Sequence, residues 1–154
     1  MASTLVWWEV VERVLAGIGG QPMMEGVQVE NAWPGDKVKG ELIYVGDITS
    51  ESEIPVSKAG RMYRDELVTV PLLARVIGRR TTALTYQRLQ EIASAIEDYL
   101  ADNVDLEDLD GVVSAEITSR VMSVGTLPEG PVGKVDTQLL IHTRLVRRRA
   151  HTCR

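Results

Sequence analysis

The residues best suited to metal binding or nucleophilic catalysis in this chain are two histidines and one cysteine. His142 lies within an alternating segment and His151 lies near the end, and neither has a paired cysteine or aspartate at metal-ligand spacing. Cys153 has no pattern around it that supplies a positioned base. These residues predict neither a metal site nor covalent catalysis.

Two glycine-containing segments approach phosphate-binding loops, and each lacks a residue that the chemistry needs. In Gly17-Ile18-Gly19-Gly20, which hints at a dinucleotide loop, no strand precedes the glycines and Pro22 occupies the last glycine position. Gly125 and Gly130 have the spacing of a P-loop, but Pro131 replaces the lysine that would hold a phosphate. The first segment is therefore interpreted as a helix stop.

The run Asp108-Leu109-Asp110-Gly111 resembles the middle of a calcium-binding loop. Leu106 stands where the first carboxylate ligand belongs, and Ile117 stands where the bidentate glutamate belongs. Apolar side chains cannot bind calcium, so this run is interpreted as part of an acidic linker. The sequence thus predicts a protein that is not an enzyme and that holds no cofactor or metal.

Two exposure-prone features indicate contacts with partner proteins instead. The first is the Trp33-Pro34-Gly35 turn, because tryptophan is favoured at interface centres and proline fixes its own backbone angle at low entropic cost. The alternative is that Trp33 folds back onto the core. The second is the polar stretch from Ile48 to Gly60, which has no clean period and is predicted to be a long loop that is either disordered in solution or ordered by a neighbour.

A third feature is the arginine-rich segment "RLVRRRAHTCR", which is either a solvated end or a partner for an acidic surface. Residues 98–110 offer such a surface, with six acidic and no basic side chains. Pairing between these segments of successive copies would be the head-to-tail contact that a ring needs. The candidate interface residues are Trp33, Pro34, Gly35, Glu51, Glu53, Ile54, Arg61, Arg147, Arg148 and Arg149.

The overall charge limits the partners of the chain. Its 154 residues carry a formal net charge of −5, which argues against a general nucleic-acid binder. No strand pattern combines aromatic and basic residues on one face, as base-stacking modules do, so a small nucleic-acid-binding module is the weaker interpretation. The apolar runs are also too short to cross a membrane.

Two helices are predicted from apolar residues at helical spacing. The first begins at a cap at Ser3 or Thr4, runs to about residue 16, and stops at the glycines that follow. The second begins at a cap at Thr81 or Thr82. Its apolar stripe consists of Leu89, Ile92, Ala93, Ile96 and Leu100.

Strands are predicted over residues 27–30, 39–45, 61–73, 112–122 and 135–146. Pro71 suggests an edge position or a bulge, and "GTLPEGPVGK" is interpreted as a turn region. The element order predicts an α+β fold: a mainly antiparallel β-sheet with helices packed on one face. The chain is expected to form a single domain over residues 1–146, followed by a basic tail over 147–154.

The chain resembles the tail terminator proteins of long-tailed bacteriophages, especially those of phages of actinobacteria. The resemblance extends from about Val6 to Val146. It lies in the runs "VQVENAWPGDKVKGELIYVGDI" and "GRMYRDELVTVPLLARV", followed by "LTYQRLQEIASAIEDYLADN" and "LDGVVSAEITSRVM". None of these is a catalytic motif, and the segment "RRRAHTCR" does not map onto the family pattern.

The resemblance implies an α+β fold and a ring-shaped homo-oligomer, typically a hexamer, in the neck of a virion assembled in the host cytoplasm. Such a ring caps the head-proximal end of the tail tube, stops its polymerisation, and presents a surface to the head completion or stopper protein. DNA would pass through the lumen without specific binding, which a negative chain permits. Another neck component, a head–tail joining or stopper protein, is the nearest alternative.

Overall fold

The computed structural model describes residues 7–36, 40–52, 56–58 and 61–147, with side chains over 7–36, 40–51 and 65–144. It is a single α+β domain, as the sequence predicts. None of the helices in these ranges is long and apolar enough to span a bilayer. In chain order the elements are α1 (Trp7–Gly19), a 3-10 helix (Pro22–Met24), β1 (Gln28–Glu30), β2 (Glu41–Val45), β3 (Thr49–Ser52), β4 (Val56–Lys58), β5 (Arg61–Ile77), α2 (Thr82–Asp102), β6 (Val112–Leu127) and β7 (Gly130–Arg147).

The strands form one sheet in which β5 is central. The main path runs β1-β2-β5-β7-β6, and β3 and β4 also pair with β5. β1 is parallel to β2, whereas the other pairs are antiparallel. β5 pairs with β7 from Met62–Arg147 to Ile77–Val132, and on its other side it pairs with β2, β3 and β4 in turn. The path therefore ends in two edges, β1 and β6.

Both helices pack on one face of the sheet and form the core with it. Thr81 caps α2, since its Oγ1 accepts a hydrogen bond from the Leu84 N–H at 3.1 Å. All five residues of the predicted stripe are buried. They meet the even-numbered residues of β5 and the odd-numbered residues of β7, among them Val70, Leu72, Val135 and Leu139. The opposite face of the sheet is called the open face below.

α2 approaches the sheet most closely at Gly133 of β7. A Cβ atom at this position would lie 2.6 Å from Cδ1 of Leu89 and 2.6 Å from Cγ2 of Thr85. Such distances are shorter than any van der Waals contact, so a side chain here would push the helix outward. The absence of a side chain at Gly133 therefore sets the distance between α2 and the sheet.

The polar stretch from Ile48 to Gly60 is not the loop that the sequence predicts. It contains β3 and β4, which pair with β5 through, for example, Glu51–Leu67 and Ser57–Met62. The long β5 strand provides a neighbouring strand with which these polar residues can pair. Strand formation depends more on such a partner than on local propensity. The loop prediction was therefore wrong, although Glu51 itself is exposed.

Pro71 lies in the central strand and not at an edge, and a gap in the neighbouring strands explains how it is tolerated. Val45 of β2 pairs with Leu72, and Thr49 of β3 pairs with Thr69, so the partner of β5 changes opposite Pro71. The Pro71 carbonyl accepts from the Gly46 N–H at 2.9 Å, which places the missing proline donor on this interrupted side. On its other side β5 stays paired with β7.

A register shift changes which residues of β6 face the core. The shift falls between Ile117 and Ser119. Before it, Ala115 and Ile117 pair with Ile141 and Leu139 and lie on the core side. After the shift, Arg120 lies on the core side of the sheet. Val121 lies on the open face, where it is 66% exposed. The predicted long turn region is also shorter than expected, because β6 extends to Leu127 and β7 begins at Gly130.

Candidate interaction surfaces

Trp33 packs on the open face of the sheet, outside the core formed with the helices. It is 46% exposed. Its ring lies 5.3 Å from the Tyr44 ring, centroid to centroid, at an interplanar angle of 69°, which is an edge-to-face contact. The guanidinium carbon of Arg75 lies 5.6 Å from the Trp33 ring centroid. The residue thus has neighbours that fix its position, but it keeps about half of its surface available.

A groove with a volume of 840 Å³ runs across the open face beside Trp33 and is called the open-face groove below. Residues from the β1–β2 loop and from β2, β5, β6 and β7 line it. They include Trp33, Tyr44, Arg75, Val121, Leu127 and Lys134. Val121 lies on this surface because of the register shift in β6. The groove therefore combines two aromatic rings, two cations, the carboxylate of Asp136 and aliphatic side chains.

The two cations of the groove stand directly opposite each other on neighbouring strands. Arg75 of β5 is the cross-strand partner of Lys134 of β7. Like charges in this position destabilise a sheet. Within the described residues, neither cation forms an ion pair with a carboxylate. The neighbouring Asp136 carries a negative charge, but its Oδ1 accepts a hydrogen bond from Gln138 at 2.9 Å.

At the other end of the open face, the described side chains include exposed carboxylates and the carboxylate of Asp65, which contacts basic side chains. Arg144 donates to both carboxylate oxygens of Asp65, at 2.8 Å and 3.2 Å, and His142 Nε2 lies 3.5 Å from Asp65 Oδ2. The hydrogen bond from Arg144 lowers the pKa of Asp65, although partial burial opposes the shift. Glu51 and Glu116 share this end by strand register. Among the side chains that the structure describes, the cations of the open face that form no ion pair therefore lie near Trp33.

The two free edges of the sheet form a second type of surface. β6 is a 16-residue edge strand whose exposed apolar side chains are Val113, Val121, Met122 and Leu127. On the opposite edge, a groove of 620 Å³ lies between α1 and β1, with Trp8, Leu15 and Val29 in its walls. Unpaired backbone groups along such edges are templates for pairing with another strand.

The acidic segment after α2 has an unusual backbone. Leu106, Glu107 and Asp108 have consecutive positive φ angles of 54°, 59° and 62°, a conformation that costs free energy for residues other than glycine. Leu106 is fully buried beneath the turn. The acidic residues of the segment are exposed, although Glu107 Oε2 also accepts a hydrogen bond from Tyr99. No group of three or more His, Cys, Asp or Glu residues in the described ranges is arranged to hold a metal ion.

The residues predicted to form an interface do not gather at one place. Trp33, Pro34 and Gly35 lie beside the end of β5 that carries Arg75, and Gly35 adopts a positive φ of 68° that its turn requires. Arg61 begins β5 at the opposite end, where Met62 pairs with Arg147. Glu51 lies between, on β3. The remaining predicted residues, Glu53, Ile54, Arg148 and Arg149, fall outside the described residues.

The aromatic and basic residues of the open-face groove come together only through the order of the strands in the sheet. No single strand combines them, so a strand-by-strand reading predicts no such face. They come from a loop and three strands, and the Arg75–Lys134 register is what joins them. The available signal was Trp33 next to a strand containing Tyr44, but the partner strands could not be identified without the sheet order.

The fold is similar to that of a chain in a solved structure described as the virion of a native gene transfer agent (GTA) particle. The TM-score is 0.59 at 13% sequence identity, and the alignment covers 92% of this chain and 99% of that chain. No protein-family model and no curated protein matches the sequence. At this identity the likeness concerns the fold, and it extends over nearly the full length of both chains.

Proposed function

We propose that this chain is a structural protein of a phage-like virion, and that within the virion it is the tail terminator. It caps the head-proximal end of the tail tube, stops tube polymerisation, and provides the surface that joins the tail to the neck. It acts through assembly and not through catalysis. The observation that carries the proposal is the full-length fold likeness to a virion chain, which agrees with the resemblance noted in the sequence.

The free strand edges support a ring of copies, which we take to be six. β6 and β1 lie on opposite sides of the sheet and run in opposite directions, because three antiparallel pairings and one parallel pairing separate them. Rotation about an axis along the strands preserves strand direction. β6 of one copy would therefore meet β1 of the next in the antiparallel sense, the more stable pairing. Such a contact is heterologous, and it gives a closed ring when the rotation between successive copies divides a full turn evenly.

A ring of this kind would turn one face of the sheet towards the lumen through which DNA passes and the other face towards the outside of the ring. The end of the β5–β7 ladder with Arg61 and Arg147 would then face a neighbouring component along the tail axis, either the tube protein or the stopper protein. Glu51, Glu53, Ile54, Arg148 and Arg149 belong to the same proposed contact.

The proposal is tested by the mass and shape of the purified chain. Light scattering over a wide concentration range, combined with negative-stain microscopy in the presence and absence of isolated tail tubes, distinguishes the outcomes. We expect closed rings with a central hole, or caps on one end of the tubes. Chains that remain monomeric and also ignore tube ends would overturn the terminator proposal.

A variant of the edge strand β6 tests whether the copies in the ring join through this strand. Val121→Lys places a charge on the edge strand, where lysine discourages strand addition. Because Val121 is 66% exposed, the monomer should keep its thermal stability. Val104→Lys is the matched control, since Val104 is 52% exposed and lies outside the sheet. We expect only Val121→Lys to lose rings and caps; rings that form equally well with both variants would exclude pairing through β6.

A further inference from the structure

We propose that the open-face groove binds single-stranded nucleic acid, with Trp33 stacking on a base and with Arg75 and Lys134 contacting phosphates. This inference goes beyond the proposed function, because it concerns a surface that each monomer carries whether or not it forms a ring. Three properties of the groove support it.

The first property is a pair of neighbouring cations that form no ion pair with a carboxylate among the described residues. Arg75 and Lys134 are cross-strand neighbours on the open face, and their mutual repulsion lowers the stability of the sheet. A bound anion between the two strands would remove this repulsion. The pair occurs in a chain with 22 acidic and 17 basic residues, where carboxylates are plentiful elsewhere. The nearest one in the groove, Asp136, is hydrogen-bonded to Gln138 and not to either cation.

The second property is the accessible aromatic platform. Tyr44 meets Trp33 edge to face and holds it against the sheet, while about half of the tryptophan remains exposed. Arg75 lies near the same ring, so a stacked base would sit within reach of a positive charge. Aromatic rings beside cations on an open antiparallel sheet are the arrangement with which sequence-tolerant single-strand binders hold bases and backbone.

The third property is the distribution of charge along the open face. Near Asp65, the side chains that the structure describes include carboxylates that are paired with Arg144 or exposed, and the exposed ones would repel phosphates. The groove beside Trp33 instead carries Arg75 and Lys134. Among the described side chains, a polyanion is therefore attracted to the groove more than to the surroundings of Asp65. An aliphatic polypeptide would use Val121 and Leu127, but it would leave the cation pair without a partner.

Binding is measured by the fluorescence anisotropy of a labelled oligo(dT) of about 12 nucleotides, a length within the usual site size of such surfaces. The full chain is titrated at about 50 mM and about 200 mM salt, because phosphate contacts make affinity depend on salt. We expect Trp33→Ala to reduce affinity about tenfold, the loss typical of one stacked base, and Trp33→Phe to retain most of it. Lys134→Gln should make the salt slope shallower by about 0.7.

Two matched controls remove equivalent groups from other surfaces. Trp8→Ala deletes a tryptophan of similar exposure, 49%, from α1. Arg120→Gln deletes a cation from the helix side of the same sheet, where Arg120 pairs with Glu97 at 3.0 Å. Both variants should bind oligo(dT) with unchanged affinity and salt slope. Equal losses in the controls and in the groove variants would overturn the proposal.

Lys134→Glu separates binding from folding. It converts the like-charge pair with Arg75 into an opposite-charge pair, so the urea midpoint should rise while oligo(dT) binding is lost. A wild-type chain that fails to bind oligo(dT) at low salt would overturn the proposal. So would self-association of the wild type that is lost in Trp33→Ala without any oligonucleotide binding, since the groove would then be an interface between copies. None of these measurements depends on ring formation.

Discussion

Arg88 of α2 and Glu41 of β2 form the ion pair that connects the helix layer to the sheet. Arg88 Nε and Nη2 each lie 2.9 Å from Glu41 Oε2, and Nη1 lies 2.9 Å from Glu91 Oε2. Arg79, just beyond β5, also bonds to Glu41. Both side chains of the central pair are largely buried. The network thus joins a strand, a helix and a loop through one carboxylate.

Replacement of Arg88 by alanine should destabilise the fold substantially. Glu41 would stay buried with Arg79 as its remaining partner, and loss of one partner from a largely buried pair is costly. We expect Arg88→Ala to lower the free energy of unfolding by about 2 kcal/mol, measured by urea denaturation. Arg120→Ala, which removes the exposed pair with Glu97, should cost less than about 0.5 kcal/mol. If Arg88→Ala and Arg120→Ala lowered the free energy of unfolding equally, burial would add nothing to the stabilisation by the Arg88–Glu41 pair.

The carboxylate of Glu41 should also make the free energy of unfolding depend on pH. Burial, the largest single influence, raises the pKa of Glu41, but the hydrogen bonds and charges of Arg88 and Arg79 outweigh it, and the net pKa falls below the usual value of 4.5. A lowered folded pKa means that the unfolded chain binds more protons. The stabilisation by Glu41 is therefore present above pH 4.5 and is lost as the pH falls through the folded pKa.

Glu41→Gln tests this dependence. The variant should be less stable than the wild type at pH 7, and the difference should shrink as the pH falls below 4.5. Urea denaturation at a series of pH values measures it. Some acid dependence should persist in the variant, since the pKa of Asp65 is also lowered by Arg144. A difference between the two proteins that stays constant at all pH values would contradict the prediction.

A methyl group at position 133 should disturb the packing of α2. Gly133→Ala places a Cβ 2.6 Å from both Leu89 and Thr85, and overpacking of this kind typically costs about 1–3 kcal/mol. Gly125→Ala is the control, because Gly125 lies on β6 nearby and its added Cβ meets nothing within 4 Å. Thermal unfolding should show a lower midpoint for the first variant alone. If Gly133→Ala had the same thermal unfolding midpoint as the wild type, α2 would be able to move outward at no cost in stability.

The parts of the fold that local sequence determines were predicted well. The Thr81 cap and the stripe from Leu89 to Leu100 lie within one helix, so short-range spacing is enough to identify them. The alternation in β7 is also local, and it correctly groups Val135, Leu139 and Ile141 on the face that lies in the core. The α+β class follows from the order of these elements.

The parts that depend on strand neighbours were not predicted. β3 and β4 exist because β5 extends past them, and the register shift in β6 reverses the side on which Val121 lies. The Arg75–Lys134 pair joins residues that are distant in sequence. Each of these features requires the sheet order, which no single segment encodes. The interface residues Glu51 and Arg61 stay predictions for the same reason, since their role depends on a neighbouring molecule.

The buried phenol of Tyr99 supports the left-handed turn after α2 and should titrate late. Its hydroxyl lies 3.2 Å from Glu107 Oε2 and 3.3 Å from the Arg13 carbonyl oxygen. Burial first, and then the charge of Glu107, raise the pKa of Tyr99 to about 12, from an ordinary value of 10.0. Because the folded pKa exceeds the unfolded one, the protonated phenol stabilises the fold fully below pH 10.0, and this contribution is lost as the pH rises towards 12.

Ultraviolet titration should therefore detect one tyrosine that ionises near pH 12 in the folded chain. Tyr99→Phe should remove that step and should cost about 1 kcal/mol at pH 7, because the phenol hydrogen bond is lost. The variant should also lose less stability than the wild type between pH 10 and pH 12. Tyr86→Phe, which changes an exposed residue of the same helix, is the control and should leave the late step in place. If the late step survives in Tyr99→Phe, the assignment to Tyr99 is wrong.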